Sequence, residues 1–497
     1  MKRTILTSAS LLALLAASPA FAQTVSQSGA ENESTVTQTG DSNQARVRQW
    51  QTEQTATISQ TGNGHDANIY QGDLGVRAES SNNTASIEQK ARANGTGSSQ
   101  GTITQESSRN SATMTQTGAN QGLIDQGIAT RTGGNNSATM TQTDTNVQGL
   151  LINIAGTVQN GSNNVADTTQ TGDANIALLK QGNDVGGAGN DAQLDQLGQD
   201  NILDATQTGN GNLLLAAQTG NDNVGDAAQL GSGNDISLTQ TGSFNEAAVR
   251  QEGSSNDATV LQLADNNNVG DALPDNTPGG WVNPRGSSYT PRTVGVLQSG
   301  SDNLAYVSQT GSGNANIDQI GDDNFAGVAQ DGAGAVFDVA QTGNLNRVTA
   351  TQGGNANVRQ NGAGATILVN QGGDSNEAVL DQIGDRAFVD IDQVGNGNLA
   401  ATTQAPAAAD AISTIAQTGN DNRAVVAQAS FARSEITQSG DDHRADVSQG
   451  VNSYSLIAQT GGNGNVASVA QGASDWSSVT QTGSFNTATV TQNGPGL

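Results

Sequence analysis

Along most of this chain, apolar and polar residues alternate over runs of seven, and each run is followed by four residues built around a glycine. The segment Gln170-Thr-Gly172-Asp-Ala-Asn175-Ile-Ala177-Leu-Leu179-Lys-Gln181 shows the arrangement. Counting from the first Gln, Gly stands at +2, Asn at +5, Ala at +7, an aliphatic residue at +9 and the next Gln at +11. The same slots hold Gln371, Gly373, Asn376, Ala378, Leu380 and Gln382, and again Gln481, Gly483, Asn486, Ala488, Val490 and Gln492. A two-residue period from Asn to Gln predicts a strand with one buried face, because successive strand side chains point to opposite sides. The residues around Gly predict a turn in which Gly takes a positive φ.

The unit recurs every eleven residues. One series runs from Gln196 through Gln207, Gln218, Gln229, Gln240 and Gln251 to Gln262; a second runs Gln319, Gln330, Gln341, Gln352; a third Gln360, Gln371, Gln382, Gln393, Gln404. A fixed short period means one small unit used many times, not a globular domain with a pocket. One turn reverses the chain, so two units complete a rung of two facing strands. The predicted fold is all-β: a flat two-sheet cross-β solenoid of about twenty 22-residue strand-turn-strand rungs, spaced by about 4.8 Å.

Burying Asn and Gln needs a reason, since an unpaired amide costs roughly 2–7 kcal/mol. Stacking supplies one: identical amides one rung apart can hydrogen-bond along the axis. The predicted structural ladder is therefore Gln170, Gly172, Asn175, Ala177, Gln181 and their counterparts in the other two units quoted above. Between Gln196 and Gln262 the predicted inward slots carry no charge, while Asp204, Asp226, Asp235, Glu246, Arg250 and Asp257 fall on outward slots.

The spacing slips in places. Gln71 to Gln89, Gln89 to Gln105 and Gln142 to Gln159 are long, which predicts extended turns; longer loops cost little extra entropy. Gln352 to Gln360 is short, so that unit lacks room for a full strand. After Gln262, Asn267, Val269, Asp271 and Leu273 continue the pattern weakly, with Asp271 in an inward slot; then Pro274, Pro278, Pro284 and Pro291 follow, with Trp281 and Tyr289 among them. Proline removes ladder donors, so 274–292 is read as a Pro-rich insertion loop between repeats at 23–273 and 293–497.

Lys2 and Arg3, the apolar run Ile5 to Ala17 and Ala20-Phe21-Ala22 read as a signal peptide over 1–22, which predicts an exported protein. No other stretch is long and apolar enough for a membrane helix, so no membrane insertion is expected. The chain has 497 residues, 33% hydrophobic and 3% aromatic, too little apolar material for several ordinary cores. A net charge of −27 argues against nucleic-acid partners. With no cysteine there is no disulfide framework.

Candidate chemistry is sparse. His65 and His443 both occupy the Asn slot and read as repeat variants, not as a catalytic or metal pair. Turn aspartates such as Asp41, Asp173, Asp322, Asp323, Asp441 and Asp442 read as a solvated acidic edge; a calcium-binding β-roll motif is missing. Thr-x-Thr pairs at Thr113/Thr115, Thr139/Thr141, Thr349/Thr351 and Thr487/Thr489 fall on outward slots. Threonine ranks on flat solenoids can bind ice, but Asp, Leu and Arg interrupt these along the chain, so no continuous rank is expected. No catalytic motif, phosphate loop, zinc spacing or basic aromatic patch stands out, and neither enzymatic activity nor a cofactor is expected.

The unit Gln-x-Gly-x-x-Asn-x-Ala-x-x-x-Gln resembles the curlin repeat of bacterial curli fibres. It stands cleanly at Gln170–Gln181, Gln371–Gln382 and Gln481–Gln492, and with single slot changes over most of 23–492. The resemblance implies secretion through an outer-membrane curli-type channel, nucleated assembly outside the cell with itself and related curlin subunits, and a role in biofilm matrix and adhesion. The chain departs from the family in having many more repeats and in keeping the Asn/Ala form in consecutive units. The expected function is a self-assembling fibre protein, since no capping segment covers the strand ending at Gln492 and open edges recruit strands. The alternative is a monomeric β-solenoid adhesin.

Overall fold

The computed structural model describes residues 22–72, 81–127, 133–145, 152–182, 187–269, 295–330, 334–349, 358–360, 365–382, 385–405 and 409–493. Residues 1–21 of the segment read as a signal peptide, residues 274–292 read as an insertion loop, and Asp271, Leu273 and Gln352 lie outside them. The described residues form two compact units, one ending at Asn234 and one beginning at Asp235.

Each unit is two parallel sheets that face one another, and the chain alternates between them. In the first unit Ala22–Ser28, Gln44–Trp50 and Asp66–Gln71 follow one another in one sheet, while Glu33–Thr39, Thr55–Thr61 and Thr84–Lys90 do so in the other. The second unit repeats the scheme, for example with Phe388–Val394, Ile412–Thr418 and Arg433–Asp441 in one sheet, and Leu399–Gln404, Arg423–Gln428 and Arg444–Gln449 in the other. Summed over both units this makes about 18–20 turns at a spacing of about 22 residues.

Register follows from the pattern. A one-residue slip would move every Ala, aliphatic and Gln slot to solvent, and the strands pair Gln on Gln: Gln49 with Gln71, Gln417 with Gln438. Inward slots are buried: Asn201, Leu203, Ala205 and Gln207 are at most 2% exposed. Size is matched locally. Gly101 and Gly122 stand in Ala slots; a Cβ on Gly101 would lie 2.8 Å from the Met114 sulfur, and one on Gly122 2.8 Å from the sulfurs of Met114 and Met140. The segregation of charge is not absolute: Asp204, expected outward and exposed, is 1% exposed, and its neighbour in register, Leu178, is 6% exposed.

The +2 glycine is imposed by stacking. Gly172 has φ +117°, and a Cβ there would lie 1.9 Å from the Gly198 carbonyl oxygen of the next rung. The three long spacings fall between strands. The short one is different. Arg347–Thr349 and Val358–Gln360 together occupy a single strand position, both pairing with Phe325–Gln330. Gln360, not Gln352, therefore continues the glutamine series, aligned with Gln330 and Gln382. Thr349 and Val358 thus take neighbouring positions of that strand. The same device frames the Pro-rich segment: Asn268–Val269 and Val296–Ser301 both pair with Glu246–Ser254.

Candidate functional site: the side-chain ladders

Within each unit, glutamines of successive strands form hydrogen-bonded columns. In one sheet of the first unit Gln159 Nε2 donates to Gln181 Oε1 at 2.9 Å, Gln181 to Gln207 at 2.9 Å and Gln207 to Gln229 at 3.0 Å. In the other sheet Gln142 donates to Gln170, and Gln170 to Gln196, both at 2.8 Å. The second hydrogen of each Nε2 crosses to the facing sheet: Gln207 donates to the Asp191 carbonyl at 2.9 Å, and Gln170 to that of Ile154 at 2.9 Å. One side chain thus ties rung to rung and sheet to sheet. In the second unit Gln371 donates to Gln393 at 2.8 Å, Gln382 donates to the Thr366 carbonyl at 3.3 Å, and Gln459 donates to Gln481 at 2.8 Å.

The asparagines run the opposite way. Asn175 donates its backbone N–H and its Nδ2 back to Asn153 Oδ1, at 3.1 and 3.2 Å, and its Nδ2 also reaches the Gly198 carbonyl at 2.9 Å. Asn376 does the same with Asn346 and Gly395, and Asn486 donates back to Asn465 at 3.0 Å. Glutamine donates toward the later rung and asparagine toward the earlier one. Side-chain dipoles along the axis are therefore opposed.

Of the other predicted ladder residues, Ala177 and Ala378 are buried in the core, and Gly373 and Gly483 carry φ of +102° and +93°. Gln492 accepts from Gln471 at 3.1 Å, but with Ala488 and Val490 it is half-exposed.

A further ladder runs along the turns. In the second unit the Ser301, Asp322, Asn344 and Asp374 backbone N–H groups donate to Oδ1 of Asp322, Asn344, Asp374 and Asn396 at 2.9, 2.8, 2.9 and 2.8 Å. Asn420 likewise donates to Asp441 at 2.8 Å. These +3 residues were legible only as polar turn residues, because Asp and Asn alternate there; the usable signal is that both supply the same acceptor oxygen.

Both histidines act as asparagine substitutes. His65 donates its backbone N–H to Asn43 Oδ1 at 2.9 Å, and its Nδ1 accepts from Ser99 N at 3.1 Å. His443 Nδ1 accepts from Asn465 N at 3.2 Å. Burial lowers the His65 pKa. Among the described residues no group of His, Cys, Asp and Glu is arranged to hold a metal ion.

The columns are made by a repeat whose identity can be tested directly. Residues 24–49, 209–242 and 245–270 match the family model of the curlin associated repeat. The chain carries curlin associated repeats. No curated relative matches the sequence. The repeat of this chain thus combines two opposed amide columns, a turn glycine with no room for a side chain, and an Ala/aliphatic core between the sheets.

Proposed function

We propose that this protein is a secreted structural subunit that self-assembles into curli-like amyloid fibres of an extracellular matrix, supporting adhesion and aggregation. The observation that carries the reading is the polarity of the ladders. At the first strands, Gln38 Oε1 accepts no hydrogen bond. At the last strands, Gln481 and Gln492 each use one Nε2 hydrogen on a carbonyl at 2.9 Å and keep the other for a further rung. Asparagine runs the reverse way to the end: Asn486 Nδ2 donates back to Asn465 Oδ1, which leaves Asn486 Oδ1 directed toward a further rung. Donors on one edge meet acceptors on the other, so copies add head to tail. Among the described residues, no strand pairs with the outer edges of Ala22–Ser28, Glu33–Thr39, Trp476–Thr482 or Thr487–Gln492.

The curlin repeat supports a non-enzymatic structural role and an extracellular site. The basic, apolar and small-residue pattern of 1–22 supports export, and a curli-type outer-membrane channel is the proposed route. Among the described residues no helix is long and apolar enough to cross a membrane. The test is assembly of the chain without residues 1–22. It should form fibres that bind amyloid dyes after a lag, and preformed seeds should shorten that lag. A chain that stays monomeric for days at high concentration would instead be the solenoid adhesin.

A further inference from the structure

Part of one outward sheet face of the first unit, from Glu33–Thr39 to Ser137–Thr143, is an array of hydroxyls with few charges, bounded by Asp167 in the next strand. In Thr55–Thr61, Ser111–Thr117 and Ser137–Thr143 every outward slot holds Ser or Thr. Strand pairing sets them in rows: Thr35, Thr57, Ser86, Thr113 and Thr139 form one rank. Thr37, Ser59, Thr115, Thr141 and Thr169 form a parallel rank, broken once by Glu88. Glu88 is neutralised within its own strand by Lys90, 2.6 Å away. The expectation that no continuous rank forms is corrected only for these strands: the rank from Thr35 to Thr139 is unbroken, while Asp167 and Asp195 follow in register after Thr139 and Thr169. Read along the chain, the two sheets interleave and interrupt each other; in space they separate, and the hydroxyls collect on one.

Three properties of this face narrow its partner. It is accessible: Thr35, Thr113 and Thr139 are exposed, and Thr57, Thr115 and Thr141 half-exposed. It carries little charge on a chain of net charge −27, which disfavours ions and charged polymers. It is regular in two dimensions, with rows about 4.8 Å apart along the stack and roughly 6.6 Å apart along each strand. Threonine is stiff at χ1, so hydroxyl and methyl positions are held. A rigid, neutral lattice of alternating hydroxyls and methyls fits a repeating, uncharged, hydrogen-bonding surface. Its ranks hold no aromatic ring to stack on a sugar and no large apolar anchor for a second protein.

We propose that this face binds ice, by ordering water over the threonine ranks. The proposal is independent of fibre formation, because outward slots take no part in the amide columns.

The experiment is partition of the folded full-length chain, soluble and as fibres, into slowly grown ice. The array variant Thr115→Lys/Thr141→Lys is compared with a control, Thr437→Lys/Thr480→Lys, on outward slots of the second unit. The wild type and the control should be enriched in ice several-fold over a non-binding carrier protein, and the array variant should fall to carrier level. Dye-binding kinetics should match in all three, showing that the array variant still folds. Exclusion of the wild type from ice overturns the proposal. So does equal enrichment of the array variant, or an effect of the array variant confined to lateral bundling of fibres, which would mean the face serves a second copy.

Discussion

At the scale of single residues, the +11 glutamine is the most constrained position, because one amide serves both the column and the facing sheet. In Gln181→Glu the carboxylate would set acceptors against the Val165 carbonyl and Gln207 Oε1, which now receive 2.7 and 2.9 Å hydrogen bonds. Losing two buried donors and adding a charge should cost about 3 kcal/mol or more. The expected outcome is no seeded fibre growth at neutral pH and partial recovery in acid, where the protonated acid regains one donor; wild-type growth at neutral pH would refute the column. The buried hydroxyls of Ser434 and Ser455, in Ala slots of successive strands, have no hydrogen-bond partner. Ser455→Ala should therefore stabilise the chain by about 1 kcal/mol, read as a shift of the denaturant midpoint. The columns were legible in the sequence because Gln and Asn recur at fixed spacing over most of the chain. Their opposed directions were not, since an amide's letter does not say which rung receives its hydrogen.

At the scale of elements, strands were legible from their two-residue period, and turns from glycine, but not all turn glycines do the same work. A Cβ on Gly209 (φ +111°) would lie 1.9 Å from the Gly231 carbonyl oxygen, whereas one on Gly211 (φ +62°) meets nothing within 4 Å. Gly209→Ala should unfold its rungs, while Gly211→Ala should cost about 1 kcal/mol; hydrogen exchange at Asn212 and Leu213 separates the two. Equal protection in both variants would contradict the close approach. The misreading of Gln352 has a physical origin. Counting assumes that each strand is one run of sequence, whereas Arg347–Thr349 and Val358–Gln360 share one strand position and Gln360 takes its Gln place. The Asn-slot histidine adds a pH response to its rung. Neutral Nδ1 of His65 accepts a backbone N–H, and protonation would set donor against donor. With its folded pKa lowered, the rung is fully stable above the unfolded value of 6.5 and loses that contribution as pH falls through the folded pKa. His65→Asn should remove the loss, seen as acid-independent exchange at Ser99.

At the scale of the whole molecule, the same stacking that aligns amides also aligns carboxylates, and this opposes the histidine effect. Asp235 and Asp257 are partners in register; burial raises both pKa values, and Asp235 adds to the rise at Asp257. Burial also raises Asp318, Asp338 and Asp390, with like-charged neighbours adding at Asp318 and Asp390. Asp125 is pushed up to about 6, mainly by burial. A carboxyl with a raised folded pKa binds more protons folded than unfolded, so its stabilising share is complete below about 3.8 and is lost as pH rises through the folded value. Seven raised carboxyls, Asp167 included, outnumber one lowered histidine and the exposed Asp410, lowered by its hydrogen bond to Arg386; on a chain of net charge −27 they predict a protein more stable near pH 5 than near pH 8. Asp125 alone spans about two pKa units, worth up to about 3 kcal/mol. Asp125→Asn should therefore flatten part of the stability–pH curve between about pH 4 and 6 and raise the midpoint at pH 8. Denaturant midpoints measured across that range would decide it: an unchanged slope in the variant would mean that the carboxyl is solvated, and that the acid response belongs to the aligned aspartates of the second unit.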